Sequence, residues 1–151
     1  MNDRFSNIQP QDSRTLLKTP KTVSIQSLAG GFYWYHGFKH CIEICLSKIT
    51  EPISISIKIN IDGLPIYKSS RDELWPILFN IDEMPYFQPM IIAIYSGKHK
   101  PNDLKSFLTP FVDEMEDVCK NGIIINGQKI TVKIQCFVCD SPARAFVKGR
   151  H

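Results

Sequence analysis

The chain has 151 residues and a net charge of +3, with 43% hydrophobic and 22% charged residues. This balance is typical of one globular domain and excludes a largely disordered or collagen-like chain. No apolar run approaches the roughly 18 residues of a membrane-spanning helix, and the first residues lack the apolar core of a secretory signal, so we expect an intracellular protein. Five cysteines, an odd number without framework spacing, fit a reducing compartment.

Residues 1–25 are polar, with prolines at positions 10 and 20 and four basic side chains. We predict a flexible polar tail over residues 1–25 and one folded region over residues 26–151. Basic residues of the tail can contact phosphate, but its composition favours a solvated tether.

Residues 33–49 are predicted to form a helix, because their apolar side chains follow the three-and-four spacing of one buried face. His36 and His40 lie one turn apart, as do Cys41 and Cys45, and such a pair can hold a metal ion. The two pairs fall on different faces, however, and the cysteines lie on the apolar stripe. The pattern therefore favours core thiols and surface histidines over a metal site.

Strict alternation over residues 53–62 predicts a β-strand with one buried face, because isoleucine occupies every second position from 53 to 61. The strand is expected to end at Asp62-Gly63, where glycine permits a turn. Two short apolar runs, 75–81 and 90–96, predict further strands, the second covered on both faces.

Residues 102–120 predict an amphipathic helix that Asn102 or Asp103 can cap and that Asn121-Gly122 can end. Pro110 removes one internal hydrogen bond and is expected to kink the helix. The acidic side chains of the outer face are predicted to be solvated charge rather than metal ligands: Asp113, Glu114, Glu116 and Asp117.

The last third of the chain begins with a predicted hairpin, because Asn126-Gly127 separates two β-rich runs. The run over 129–139 is long, and Ser141-Pro142 after it is typical of a helix start. Cys136 and Cys139 have half the spacing of a zinc knuckle. Residues three apart in a strand point to opposite faces, which favours two buried thiols over metal ligands.

Asp62 and Asp140 are the residues most suited to chemistry, because each follows a strongly apolar strand. If strands 53–62 and 129–139 are parallel neighbours, both carboxylates emerge at one sheet edge and can hold Mg²⁺. Paired cations at such a site support in-line attack on a phosphodiester. The alternative is local: Asp62 forms a turn before Gly63, and Asp140 caps the last helix. Spacing alone favours the local roles.

Three segments carry a resemblance to a known family: INIDGLPIYKSSRDELWPILFNI at 59–81, KPNDLKSFLTPFVDEMEDVCKNGI at 100–123 and CDSPARAFVKG at 139–149. In this order and spacing they resemble transposases of cut-and-paste DNA elements in animals and, more distantly, the CACTA-type transposases. The resemblance covers roughly residues 12–149.

The resemblance implies an α/β protein with an RNase H-like core, in which amphipathic helices flank a mixed sheet whose first and fourth strands are adjacent. It also implies a DDE-type site in which Asp62 and Asp140 are catalytic and bind Mg²⁺ or Mn²⁺. The third carboxylate of the family comes from a helix far downstream of the second Asp, and this chain ends at His151. We therefore expect a truncated core, inactive in strand transfer on its own, that binds its ions weakly or not at all.

A truncated core is expected to leave an unpaired sheet edge and partly exposed aromatic residues, with Trp34, Trp75 and Phe146 as candidates. DNA is the expected partner, with a full-length transposase or a second copy of the chain as others, and the family implies a nuclear location. The candidate DNA contacts are Lys98, Lys100, Arg144, Lys148 and Arg150, with His99 and His151 beside them. Ordinary surface charge is the alternative for this patch. The functional alternatives are an inactive transposase fragment, a domesticated DNA- or protein-binding module, and the product of a decayed element.

Overall fold

The computed structural model describes residues 23–67 and 71–148. Most of the predicted tail, residues 1–22, lies outside these ranges. In chain order the elements are β1 (Gln26–Leu28), β2 (Gly31–Tyr35), α1 (Phe38–Cys45), β3 (Ile53–Ile61), β4 (Leu64–Pro65), β5 (Glu73–Ile81), β6 (Met90–Gly97), α2 (Leu104–Asn121), β7 (Ile123–Ile125), β8 (Gln128–Val138) and α3 (Ser141–Val147).

The strands form one sheet in the order β1-β2-β6-β5-β3-β8-β7, and β4 pairs with β5 at its side. All described neighbours are antiparallel except β3 and β8, which run parallel. The mixed α/β class predicted from the sequence is therefore confirmed.

The core of the sheet is the isoleucine row of β3. Ile55, Ile57 and Ile59 are fully buried, between β5 on one side and β8 on the other. Each such side chain contributes about 1.5–3 kcal/mol relative to an exposed one. The predicted strands at 53–62, 75–81 and 90–96 are confirmed as β3, β5 and β6. Coverage of both faces holds only for part of β6, because Ile92 and Ala93 are buried while Ile91 is exposed.

The predicted helix over 33–49 is wrong in its first part and too long at its end. Residues Gly31–Tyr35 form β2, and α1 begins only at Phe38 and ends at Cys45. Gly37 between them has φ +94°, a left-handed conformation that a continuous helix forbids. Tyr33 pairs with Tyr95 of β6, and its hydroxyl donates to the Phe107 carbonyl of α2 at 3.0 Å.

The start of α1 is held by a side chain of α2. The Glu114 carboxylate accepts hydrogen bonds from the backbone N–H of Phe38 at 2.7 Å and of Lys39 at 3.0 Å, and from the Tyr35 hydroxyl. A carboxylate at a helix N-terminus pairs with unsatisfied N–H groups and with the positive end of the helix dipole. The prediction that the acids of this helix are solvated is therefore wrong for Glu114.

Helix α2 and the last elements follow the sequence closely. Asp103 caps α2 by accepting from the Ser106 N–H at 3.1 Å, and Gly122 ends the helix at φ +76°. Asn126 and Gly127 have φ +50° and +74°, as a two-residue type I′ hairpin requires. The buried stripe of α2 is Phe107, Phe111, Met115 and Val118.

Within the described residues, the outer side of β8 has no neighbouring strand beyond its first three residues. Strand β7 pairs only with residues Gln128–Ile130, and Phe137 and Val138 farther along β8 are about half exposed. The predicted exposure of Trp75 is wrong, since that ring is 6% exposed, whereas Trp34 is half-buried. The side chain of Phe146 lies outside the described part.

We predict that Glu114→Ala destabilises the fold by about 2–4 kcal/mol, because it leaves two helix N–H groups and the Tyr35 hydroxyl without their charged acceptor. Urea unfolding measures this change. Glu116→Ala is the matched control, since Glu116 is exposed on the same helix and its loss should stay within about 0.5 kcal/mol. Equal effects of the two substitutions would contradict the capping role.

Candidate functional site

Asp62 stands where the chain leaves β3. Its Oδ1 accepts a hydrogen bond from the Gly63 N–H at 2.8 Å, and the side chain is half-buried. Gly63 packs against the Trp75 ring so closely that an added Cβ would lie 2.6 Å from a ring carbon. The turn is thus fixed by a buried aromatic ring, which holds the backbone of Asp62 in place.

Asp140 stands between β8 and α3. Its Oδ1 accepts from the Ala143 N–H at 2.7 Å, and its carbonyl accepts from the Arg144 N–H at 2.8 Å. These bonds are those of a helix N-cap, and Ala143 beyond them is buried. Both aspartates therefore have the local roles that the sequence offered as the alternative, one in a turn and one as a cap.

The sheet register brings the two positions level with each other. Asn60 pairs with Val138 in the parallel ladder, and each aspartate lies two residues farther along its strand. Parallel neighbours lie about 4.8 Å apart, so the two backbones leave the sheet side by side. The two aspartates therefore follow the ends of two adjacent parallel strands.

A bulge sets this alignment. Ile57 pairs with Ile134, but the next residue of β3, Lys58, pairs with Cys136, so β8 contains one extra residue at position 135. An unbroken ladder would place Asp62 level with Cys139. With the bulge it is level with Asp140. Bulges occur often beside functional sites, where they re-aim side chains.

The carboxylate oxygens of Asp62 and Asp140 are the type of ligand that a hard divalent cation prefers, but two carboxylates are too few to complete its coordination. A carboxylate has two oxygens with several acceptor positions, so one N–H bond to Oδ1 leaves each aspartate able to bind a cation. Mg²⁺ takes six oxygens, and it commonly binds one or two carboxylates with waters in the remaining positions. Within residues 23–67 and 71–148, no three His, Cys, Asp or Glu side chains cluster as a metal site.

The basic candidates lie at the same end of the sheet but not beside the aspartates. Lys98 and Lys100 follow β6, which is separated from β3 by β5. At this end of the sheet β6 extends beyond β3. Gly97 of β6 pairs with Glu73, at the start of β5, whereas Ile61 at the end of β3 pairs with Ile77. Arg144 and Lys148 belong to α3 and the residue after it, directly beyond Asp140, and both are exposed. Arg150 is outside the described residues.

The remaining candidate ligands divide between two regions. His36 and His40 lie near each other, with ring centroids 4.5 Å apart, and burial together with the neighbouring imidazole lowers the pKa of His36. Cys41 is buried and Cys45 half-buried, close to the predicted core placement. Cys139 is half-buried, but Cys136 is exposed, so the prediction of two buried thiols in β8 is wrong for Cys136.

Comparison with protein-family models, with curated proteins and with solved structures gave no match. No helix in the described part of the chain is long and apolar enough to cross a bilayer.

Sequence reasoning missed two carboxylate contacts at the two ends of β5. Glu73 accepts from the Trp75 indole N–H at 2.9 Å, and Glu83 accepts from the Ser56 N–H through both oxygens, at 3.0 and 2.9 Å. The backbone bond lowers the pKa of Glu83. The i,i+2 spacing of Glu73 and Trp75, on one face of a strand, was the available signal for the first contact.

We predict that Asp140→Ala destabilises the protein by about 1 kcal/mol, because α3 loses its cap. Asp140→Asn should be close to neutral, since asparagine caps helices as well as aspartate does. Thermal or urea unfolding of the two variants checks this. If Asp140→Asn is as destabilising as Asp140→Ala, the cap does not explain why Asp140 stabilises the protein.

Proposed function

We propose that this chain is a transposase-derived protein that carries the first two acidic positions of a DDE-type nuclease core, Asp62 and Asp140. The observation that carries the proposal is the parallel register of β3 and β8, which brings these two residues level at one edge. Two local hydrogen-bonding roles explain an aspartate at each position. These roles do not explain why both aspartates follow the ends of adjacent parallel strands.

The strand arrangement supports an RNase H-like core. Strands β3, β5 and β6 are consecutive antiparallel neighbours, β4 aside, and β8 returns after helix α2 to lie parallel to β3 on its other side. The resemblance implies this adjacency of the first and fourth core strands. In this proposal β7, which forms a hairpin with β8, and the strands β1 and β2 are additions around that core.

The chemistry proposed for the site is binding without strand transfer. A bound Mg²⁺ or Mn²⁺ would activate a water or 3′-hydroxyl and stabilise a leaving oxygen. Asp62 and Asp140 would hold such an ion through their carboxylate oxygens. Two carboxylates leave most coordination positions to water, so the ion is held weakly and its geometry is loose. We therefore propose that the 151-residue chain alone neither cleaves nor joins DNA.

We predict that Mn²⁺ broadens the backbone amide NMR signals of Asp62, Gly63 and Asp140 with a dissociation constant on the order of 1 mM, typical of a weak carboxylate site. The variants Asp62→Asn and Asp140→Asn keep an acceptor for the local N–H groups and remove the charge that binds the ion. Each should abolish the broadening without unfolding the protein. Asp113→Asn, on the exposed face of α2, is the matched control and should leave the broadening unchanged.

Two outcomes would contradict this proposal. Broadening that persists in both asparagine variants would place the ion elsewhere. Metal-dependent nicking of labelled duplex DNA by the wild-type chain, lost in Asp62→Ala, would show an active nuclease instead of an inactive one.

The second candidate function is a binding module for DNA, favoured by the cations on both flanks of the aspartates. Lys98 lies on one side and Arg144 and Lys148 on the other, at the same end of the sheet. Exposed cations such as these can contact the phosphate groups of a nucleic acid. Such binding is independent of sequence and falls steeply with salt.

We predict that affinity for duplex DNA, measured by fluorescence anisotropy, falls roughly 100-fold between 50 and 200 mM salt, as about four phosphate contacts require. The double variant Lys98→Gln/Lys148→Gln should lower the slope of log affinity against log salt by about two. Lys120→Gln/Lys129→Gln removes the same charge at the opposite end of the sheet and should leave the slope unchanged. Equal slopes in the two variants, or binding insensitive to salt, would rule out this surface.

A further inference from the structure

Three sulfur-containing side chains, Cys41, Cys45 and Met90, lie together where helix α1 packs on the start of strand β6. The Cys45 Sγ lies 2.8 Å from the Met90 Sδ, and the Cys41 thiol donates to the Ile91 carbonyl at 3.4 Å. Cys41 and Cys45 are one turn apart on α1, and Met90 and Ile91 are consecutive in β6. Both thiols are therefore directed at the same short stretch of strand.

These three side chains line one cavity of about 680 Å³. Its walls are mainly apolar and aromatic, with Trp34, Tyr86 and Phe87 among the lining residues, and His36 lines it as well. Cys45 is half-buried and Tyr86 is 73% exposed, so the cavity communicates with solvent. The thiols are reduced and free in this structure.

We propose that Cys41, Cys45 and Met90 form a binding site for monovalent copper, Cu(I). Thiolate and thioether sulfur are soft ligands, and this combination selects Cu(I) over hard cations such as Mg²⁺ and Ca²⁺. Side chains four apart on a helix have Cβ atoms about 5–6 Å apart, so both sulfurs can reach one ion between them. The surrounding apolar side chains lower the local dielectric of the site.

The ligand count distinguishes Cu(I) from zinc. A structural zinc site takes four N or S ligands in a tetrahedron. No third His, Cys, Asp or Glu completes a cluster with the two cysteines in the described ranges, and the third sulfur is a thioether. A bis-thiolate site with one thioether suits a soft monovalent ion better than a divalent one.

Binding of the ion is a proton exchange without redox chemistry. One Cu⁺ replaces the two thiol protons, which leave to solvent, and the resulting copper bis-thiolate has a net charge of −1. Burial raises the pKa of Cys41 to about 11 and also raises the pKa of Cys45.

Anaerobic titration of the full chain with Cu(I), in competition with a chromophoric Cu(I) chelator, tests this site. We expect one tightly held Cu(I) per chain, and loss of that competition in Cys41→Ala/Cys45→Ala. Met90→Leu preserves the volume of the core and should weaken binding without abolishing it. A thermal melt of each variant establishes whether it is folded. If the double variant does not fold, Cu(I) binding is measured in Cys45→Ala alone, which removes only the half-buried thiol.

The matched control is Cys119→Ala/Cys136→Ala, which removes two exposed thiols on α2 and β8, outside the cavity. It should bind Cu(I) as tightly as the wild type. Two results would overturn the proposal: equal binding by the wild-type chain and by folded variants lacking Cys45, or loss of binding in the control. Either result would assign the copper to surface thiols only.

Discussion

The parallel pairing of β3 with β8 is the interaction on which the rest of the structure depends. It joins residues 53–60 to residues 130–138, and the chain between them supplies β5, β6 and α2. The buried isoleucines fix its register. A slip by one residue would move that whole row to the opposite face, at about 1.5–3 kcal/mol for each side chain exposed. The relative position of Asp62 and Asp140 is therefore set by the hydrophobic core and not by any contact between the aspartates themselves.

Much of this could be predicted from the sequence, because the periodicities are unusually clean. Isoleucine at alternate positions identified β3, the apolar stripe with Asp103 and Gly122 identified α2, and Asn126-Gly127 identified the hairpin. These signals are local, and each acts through the backbone conformation or buried face of its own element. The sequence also indicates the local roles of the two aspartates, with Asp62 in a turn after β3 and Asp140 as the cap of the last helix.

The errors came from contacts between distant segments. Residues 33–35 fit a helical stripe as well as they fit a strand, and it is their pairing with β6 that makes them β2. The acid Glu114 was grouped with solvated neighbours because nothing nearby in sequence shows that α1 begins beside it. The extra residue of β8 at position 135 likewise has no local signal, although it determines which residue of β8 stands level with Asp62.

The two proposed sites have opposite chemistry. Oxygen donors and cations follow the strands at one end of the sheet. Sulfur donors lie beside an apolar cavity next to α1, and sulfur suits a soft ion. The first rests on the register of β3 and β8, and the second on the packing of α1 against β6, so a change in one leaves the other in place.

Anomalous difference density from a crystal of the chain soaked in Mn²⁺ tests directly whether Asp62 and Asp140 share an ion. We expect one peak at this end of the sheet, bonded to a carboxylate oxygen of Asp62 and to one of Asp140 at roughly 2.1 Å, close to the distance Mg²⁺ adopts. Aspartate side chains that diverge, with no peak between them, would contradict it.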